Sequence, residues 1–265
     1  MEIAGYIASV IIGISLGLIG GGGSILTLPV LVYLFGVEPV LATAYSLFIV
    51  GATSLVGGIT KHRQGLVNVK TAIIFGIPSI AAVFITRKFL VPLIPPHIFN
   101  LGNIEITKSV LIMVLFAVLM VVASYSMIKN GEKETVQQEK QHFNYPMILL
   151  EGAVVGILTG LVGAGGGFLI IPALVLFSKL PMKLAVGTSL FIIAAKSLIG
   201  FTGDISHYDM DWKLLSIVTA VAIVGLFIGN ALNKKIPGER LKKWFGWFVL
   251  VMGIYIIIKE LLLNQ

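Results

Sequence analysis

The stretch that decides the fold occurs twice in the chain. Gly17-Leu-Ile-Gly-Gly-Gly-Gly-Ser-Ile-Leu-Thr-Leu-Pro29 in the first half matches Gly160-Leu-Val-Gly-Ala-Gly-Gly-Gly-Phe-Leu-Ile-Ile-Pro172 in the second, at an offset of 143 residues (172 − 29). Without a gap, the same offset places Ser46-Leu-Phe-Ile49 on Ser189-Leu-Phe-Ile192. A match of this length predicts an internal duplication of the chain.

The composition is that of a membrane protein. Of the 265 residues, 57% are hydrophobic and only 12% are charged, whereas about 25% are charged in a soluble domain. Long apolar runs approach the roughly 20 residues that a helix needs to cross a bilayer. The absence of cysteine excludes disulfides and thiolate sites. We attribute the net charge of +7 to cytoplasmic loops rather than to a nucleic-acid partner.

Each half contains five apolar segments, which predicts an all-α polytopic membrane protein of about ten helices. We divide the chain into a first five-helix repeat (1–128), a polar linker loop (129–143) and a second five-helix repeat (144–265). The segments are about 3–19, 24–35, 41–59, 69–86 and 108–128 in the first half, and about 145–163, 167–178, 184–201, 214–232 and 243–262 in the second.

The distribution of Lys and Arg predicts how the segments cross. The second segment of each half has on the order of 12 residues, too few to cross alone. If all ten segments are counted as crossings, 13 Lys and Arg residues lie on one side and 5 on the other; if the short segments do not cross, the split is 10 against 8. The larger bias favours ten crossings with both termini outside. An odd number of crossings per half then makes the two halves inverted repeats.

The glycine runs between the first and second segments interrupt the helices at the centre of each repeat. The next helix would start near Ser24 or Phe168, and its free N–H groups and positive dipole end favour an anion. The alternative is that the glycines only permit tight helix packing. As substrate-binding candidates this region provides Gly20, Gly21, Gly22, Gly23, Ser24, Gly163, Gly165, Gly166 and Gly167.

The twin glycine runs, each followed by a proline (Pro29, Pro172), resemble the sulfite exporter TauE/SafE family, also called the toluene sulfonate uptake permeases. The stretches Ala42–Phe48 and Ala185–Phe191 and the loop Lys61–Gly65 are similar to the family's pattern as well. The resemblance implies a transporter of sulfite, sulfonates or related organosulfur anions in the cytoplasmic membrane of a bacterium or archaeon.

Two charged residues lie within apolar segments. Lys196 is inside the eighth segment, where a charge near the bilayer centre costs about 2.5–3.5 kcal/mol. It would bind an anion in a cavity, or snorkel to the interface. We expect no other basic residue in the apolar segments. Glu151, in the sixth segment, would pair with Lys196, carry a coupling proton or sit at the headgroup level.

Hydroxyl groups recur at equivalent positions of the third helix of each repeat. Ser46 matches Ser189, and Thr188 precedes Ser189, so that these hydroxyls would either bind the oxygens of a ligand or hold helices together. The loop containing Asp204, His207, Asp209 and Asp211 is what the charge bias leaves outside, and we expect no metal site there.

We therefore predict a secondary active transporter that exports a small organosulfur anion, such as sulfite, sulfoacetate or a taurine-related compound, with protons as the coupling ion. The alternative is a passive anion channel on the same scaffold. We expect no enzyme, because the helices contain no Ser/His or Asp/Asp pair, and no cofactor. The expected partners are the anionic substrate and the lipid bilayer. A homodimer is one alternative for the oligomeric state.

Overall fold

The structure, a computed structural model, describes residues 2–101, 104–129, 145–176, 178, 180–233 and 238–263. Within these residues the chain forms ten α-helices and one two-stranded antiparallel hairpin. The polar linker predicted at 129–143 lies outside the described residues, except for Lys129 at the end of a helix. The helices are α1 (Glu2–Ile19), α2 (Thr27–Tyr33), α3 (Pro39–Arg63), α4 (Val69–Leu93), α5 (Lys108–Lys129), α6 (Tyr145–Val162), α7 (Gly167–Leu176), α8 (Met182–Thr202), α9 (Trp212–Asn233) and α10 (Gly238–Ile258).

The protein is an all-α polytopic membrane protein, as the sequence predicts. Five helices, α3, α4, α5, α8 and α9, are long and apolar enough to cross a bilayer, and shorter apolar helices accompany them. The outward-facing side chains are apolar, as on α1, where Ile3, Ile7 and Ile11 are exposed. In water such a surface would be an aggregation liability, whereas in lipid it is the expected exterior.

The helices of the two halves interdigitate rather than forming two separate bundles. The most extensive packing joins α1 to α9, α3 to α8, α5 to α10 and α4 to α6, each pair taking one helix from each half. Helices α3 and α8 form the buried centre, and α4 and α9 pack on them. Because the offset of 143 residues relates α1 to α6 and α4 to α9, the α1–α9 and α6–α4 contacts are the same contact made twice.

The contacts also give the relative directions of the helices. Equivalent helices α3 and α8 are antiparallel, since Gly51 lies against Leu198 whereas Gly58 lies against Phe191. Helices α1 and α9 are parallel, since Gly13 lies against Ala222 and Gly17 against Leu226. Small residues allow such close backbone approach in membranes. An inverted duplication requires antiparallel equivalents; the inversion across the membrane stays a prediction.

Two equivalent hydrogen bonds fasten each half to the other. The backbone N–H of Asn68, the N-cap of α4, donates to the Thr188 hydroxyl at 2.9 Å, and Asn68 Oδ1 accepts from the N–H of Thr71. At the equivalent place, the N–H of Asp211 donates to the Tyr45 hydroxyl at 2.6 Å. Side-chain caps of this kind satisfy the free N–H groups of a helix start.

One helix start differs from the prediction. The α-helix predicted to begin near Ser24 begins at Thr27, three residues later, because Gly20–Leu26 forms a 3₁₀ segment that precedes it. The Ser24 hydroxyl donates to the Gly21 carbonyl at 2.8 Å, within this segment. The tighter turn satisfies backbone groups locally, as short 3₁₀ turns do at helix ends. In the second half, α7 begins at Gly167, one residue before Phe168.

Candidate functional site

The two glycine runs meet at the centre of the bundle. A Cβ added at Gly21 would collide with the Cα of Gly167, and one added at Gly167 would collide with the backbone of Gly21. Each run also packs on the third helix of the other half, Gly20 on Val186 and Gly163 on Thr43. The two glycine runs therefore converge on one place, and in this structure their described backbones are in contact without an open cavity between them.

The second glycine run is a sharp break between α6 and α7. Gly163, Gly165 and Gly166 have positive φ angles of 67°, 63° and 70°, which residues with a Cβ rarely adopt. The Gly166 carbonyl accepts the N–H groups of Leu169 and Ile170 at 3.0 and 2.9 Å, so that α7 starts immediately after the break. The C-terminal end of α6 and the N-terminal end of α7 thus face this one place.

Lys196 lies against this break and is completely buried, with an exposed fraction of 0%. Its Nζ donates to the Thr159 hydroxyl at 2.9 Å and lies 2.8 Å from the point where a Cβ at Gly166 would sit. The snorkelling alternative is therefore wrong. An ammonium has three donors, and Thr159 accepts one of them. Among the described residues no carboxylate forms an ion pair with Lys196.

A second buried cation, Arg87, was missed from the sequence. It lies in the π-helical part of α4 (Thr86–Leu90) with an exposed fraction of 0%, and its Nε donates to Asp204 Oδ2 at 2.7 Å. Its Nη1 donates to Thr43 Oγ1 at 2.9 Å and to the Gly160 carbonyl at 3.2 Å. Burial raises the pKa of the Asp204 carboxyl, and the Arg87 guanidinium works against that rise.

The expectation that Lys196 is the only basic residue in the apolar segments is therefore wrong. Two consecutive charged residues, such as those at 87–88, normally end an apolar segment. The sequence pattern therefore predicts that Arg87 lies in the loop after the segment 69–86. The signal that could have found it is the duplication, since the offset of 143 places Arg87 on Asn230, a second polar residue at the end of an apolar run.

Comparison with known proteins gives the family of the chain. The family model for the sulfite exporter TauE/SafE matches residues 6–256. The chain belongs to the TauE/SafE family. A probable membrane transporter protein of Xylella fastidiosa is 29% identical over 254 residues, which cover 93% of this chain and 91% of that protein. The probable membrane transporter protein YunE of Bacillus subtilis is 26% identical over 279 residues, covering 96% and 95%. No solved structure matches significantly.

The hydroxyls predicted as ligands of this TauE/SafE transporter have different surroundings. Thr188 accepts the Asn68 N–H, as described above, and Ser189 donates to the Val186 carbonyl at 2.8 Å. The buried Ser46 hydroxyl has no hydrogen-bond partner. The hydroxyls of Thr188 and Ser189 thus form hydrogen bonds within the protein, whereas the Ser46 hydroxyl remains able to donate one to a ligand.

Glu151 lies in a groove between α6 and α7. The groove has a volume of about 330 Å³, and apolar side chains such as Leu158, Leu169 and Pro172 line the rest of it. Both carboxylate oxygens of Glu151 are shielded and have no hydrogen-bond partner. Glu151 precedes Thr159 by eight residues on α6, or roughly 12 Å, and it does not pair with Lys196 as one alternative supposed.

Two aspartates of the acidic loop after α8 of this TauE/SafE transporter make hydrogen bonds within the protein. Asp204 binds Arg87, and Asp211 Oδ1 accepts the N–H of Leu214 at the start of α9. Within the described residues, no three His, Asp or Glu side chains are grouped closely enough to hold a metal ion.

Proposed function

We propose that this membrane transporter moves a small organosulfur oxyanion, such as sulfite or a sulfonate, and binds it at the break between α6 and α7. The observation that carries the proposal is Lys196, a fully buried ammonium without a carboxylate partner, next to Gly166. A buried cation without a counter-ion is costly, and a bound anion would remove that cost. The name of the family model, sulfite exporter, supports the substrate class.

The backbone complements this charge. The glycines of the break carry no side chains, so that a ligand can approach their N–H groups closely. The start of α7 adds about half an elementary positive charge. The touching glycine runs make this conformation a closed one, and the runs would separate when substrate enters.

We propose further that transport is an export coupled to protons and that Glu151 carries the proton. Its two oxygens are shielded and unpartnered in an apolar groove. A carboxyl in such a place takes up a proton readily. Glu151 lies on the same helix as Thr159, which holds Lys196. Protonation of Glu151 would therefore shift Thr159 and, with it, Lys196.

Transport into proteoliposomes tests the substrate and the coupling. We would measure accumulation of sulfoacetate, whose sulfonate stays ionised, under an imposed pH gradient with the membrane potential clamped at zero. We expect accumulation above the outside concentration in the wild type. Equilibration without accumulation would favour the passive channel, and no movement of sulfoacetate or sulfite would refute the substrate class.

Two variants separate the proposed roles. Lys196→Ala should abolish accumulation, whereas the exposed Lys213→Ala, which removes the same charge, should not. Glu151→Gln should lose accumulation driven by the pH gradient but retain exchange of labelled for unlabelled anion. Wild-type accumulation by Glu151→Gln would contradict proton transfer by this residue.

The orientation is proposed as ten crossings in the cytoplasmic (inner) membrane with both termini outside. Cysteines introduced at Gln64 and Gly238, which precede α4 and begin α10, should then be labelled only from the cytoplasmic side. Labelling of the two from opposite sides would refute the ten-crossing model.

A further inference from the structure

The Arg87–Asp204 pair is an unusual feature of a membrane bundle. Both side chains are buried, with exposed fractions of 0% and 1%. Even so, Arg87 Nη2 and Asp204 Oδ1 have no hydrogen-bond partner. A buried ion pair stabilises a fold only when its remaining donors and acceptors are satisfied, and here one of each is not. Stability alone therefore gives no reason for this pair.

The position of Arg87 connects it to the proposed site. Gly160, whose carbonyl accepts from Arg87, follows Thr159, whose hydroxyl accepts from Lys196. Thr43, the other partner of Nη1, packs on Gly163. Lys196 and Arg87 thus contact consecutive residues in the last turn of α6, next to the glycine break.

We infer that Arg87 is a second anion-binding residue of the transport path, and that Asp204 occupies it in the closed state and is displaced by the passing anion. The inference rests on the proposed function. An arginine fork binds a carboxylate or another oxyanion with two parallel hydrogen bonds, and Nη2 is the donor that such an anion would add. Asp204, which pairs with Arg87, lies beyond the end of α8, whereas Lys196 lies within α8 and forms no ion pair with Asp204.

The charge continues from Arg87 toward one end of the molecule. The half-buried Lys108, at the start of α5, interacts electrostatically with Arg87, Glu38 and Asp204. The charge bias of the sequence predicts that this end is outside. The equivalents of Arg87 and Asp204 in the other half are Asn230 and Lys61, which cannot form the same pair. The Arg87–Asp204 pair therefore has no equivalent ion pair in the other half, and the proposed second anion-binding position lies at one end of the path.

Asp204→Asn tests the inference, because it frees Arg87 while keeping the size of the side chain. We expect sulfite or sulfoacetate to stabilise the purified variant with about tenfold higher affinity than the wild type, measured by thermal shift against anion concentration. Release should be slower, so that accumulation in proteoliposomes falls. Asp209→Asn, an exposed change in the same loop, is the matched control and should behave as the wild type.

The double variant Arg87→Gln with Asp204→Asn removes both charges. It distinguishes a role of the pair in transport from a role in stability alone. We expect it to lose transport while Lys196 still binds anion with wild-type affinity. Wild-type transport by the double variant, or unchanged affinity in Asp204→Asn, would overturn the role of Arg87. If neither the wild type nor Asp204→Asn is stabilised by sulfite or sulfoacetate, the proposed function itself fails. If Asp204→Asn does not fold, Asp204→Ser replaces it, because it also removes the carboxylate from Arg87, and its anion affinity is expected to rise in the same direction.

Discussion

The two glycine runs occupy equivalent places, yet among the described contacts of their glycines a charged side chain touches the second run and not the first. Gly20 packs on Val186, whereas its equivalent, Gly163, packs on Thr43, which binds Arg87. The run at Gly20–Gly23 winds into a 3₁₀ segment with one positive φ angle, and the run at Gly163–Gly167 contains three.

The same difference holds for the residues around the runs. Lys196 has Thr53 as its equivalent in the first half, and Thr159 has Leu16. Gly51 contacts Leu198 on the antiparallel helix. Thr53 follows Gly51 by two residues and Lys196 precedes Leu198 by two, so that Thr53 and Lys196 lie at the same level of the bundle. The duplication thus retains a glycine run in both halves. The Lys196 and Thr159 side chains, which would bind an anion, lie in the second half, and their equivalents in the first half are Thr53 and Leu16. A symmetric scaffold therefore holds an asymmetric site.

The largest expected effect is that of a side chain at Gly166. Its φ of 70° is unfavourable for alanine, and a Cβ would collide with Thr159 and crowd Lys196 Nζ. Gly166→Ala should therefore lose detectable binding of sulfite in a thermal-shift titration. Gly57→Ala is the control, because its Cβ would meet only side-chain methyl groups, the nearest at 3.3 Å. Equal losses in both variants would show that packing, and not the site, explains the glycines.

Loss of the central charge should have the next largest effect. Lys196→Ala removes a charged hydrogen-bond donor, which contributes about 1.5–3 kcal/mol and corresponds to roughly 10- to 140-fold in affinity. Lys196→Thr combined with Thr53→Lys moves the charge to the first glycine run, where no Thr159 equivalent holds it. Anion affinity should remain low in this double variant. Wild-type affinity there would mean that the two runs are interchangeable.

A smaller effect is expected from the residue that positions Lys196. Thr159→Val removes the hydroxyl that accepts from Nζ and should weaken anion binding by about three- to tenfold, the equivalent of one hydrogen bond. Thr159→Ser keeps the hydroxyl and should restore most of the affinity. The prediction fails if the serine variant binds no better than the valine variant.

The smallest effect concerns the hydrogen bonds that are equal in the two halves. Thr188→Val and Tyr45→Phe each remove one hydroxyl that accepts a capping backbone N–H. Each should lower the free energy of unfolding by about 1 kcal/mol, a shift in Tm of about 2–4 °C. Neither should change anion affinity in the same titration. A loss of affinity confined to Thr188→Val would return Thr188 to the substrate site.

The sequence predicts those parts of the site that follow from the duplication. The duplication places the two glycine runs at equivalent positions, and Lys196 lies on α8, which packs on its equivalent α3 at the centre. The Arg87–Asp204 pair joins residues 117 positions apart, and the Asn68–Thr188 bond joins residues 120 apart. Nothing in the local pattern selects these partners, because burial and packing choose them. The hairpin of His97–Leu101 with Ile104–Thr107 also had no such signal.

The interdigitation of the halves has a consequence for synthesis of the chain. The glycine face of α1 is complementary to α9, which begins at Trp212, whereas α1 ends at Ile19. At about 5–20 residues per second, the ribosome needs roughly 10–40 s to supply that partner. During this interval α1 is in the membrane without the helix that it packs on. Its closely packed surface must meet lipid or an insertion factor until the second half arrives, so that a ribosome stalled in the linker would leave a half that cannot complete its own core.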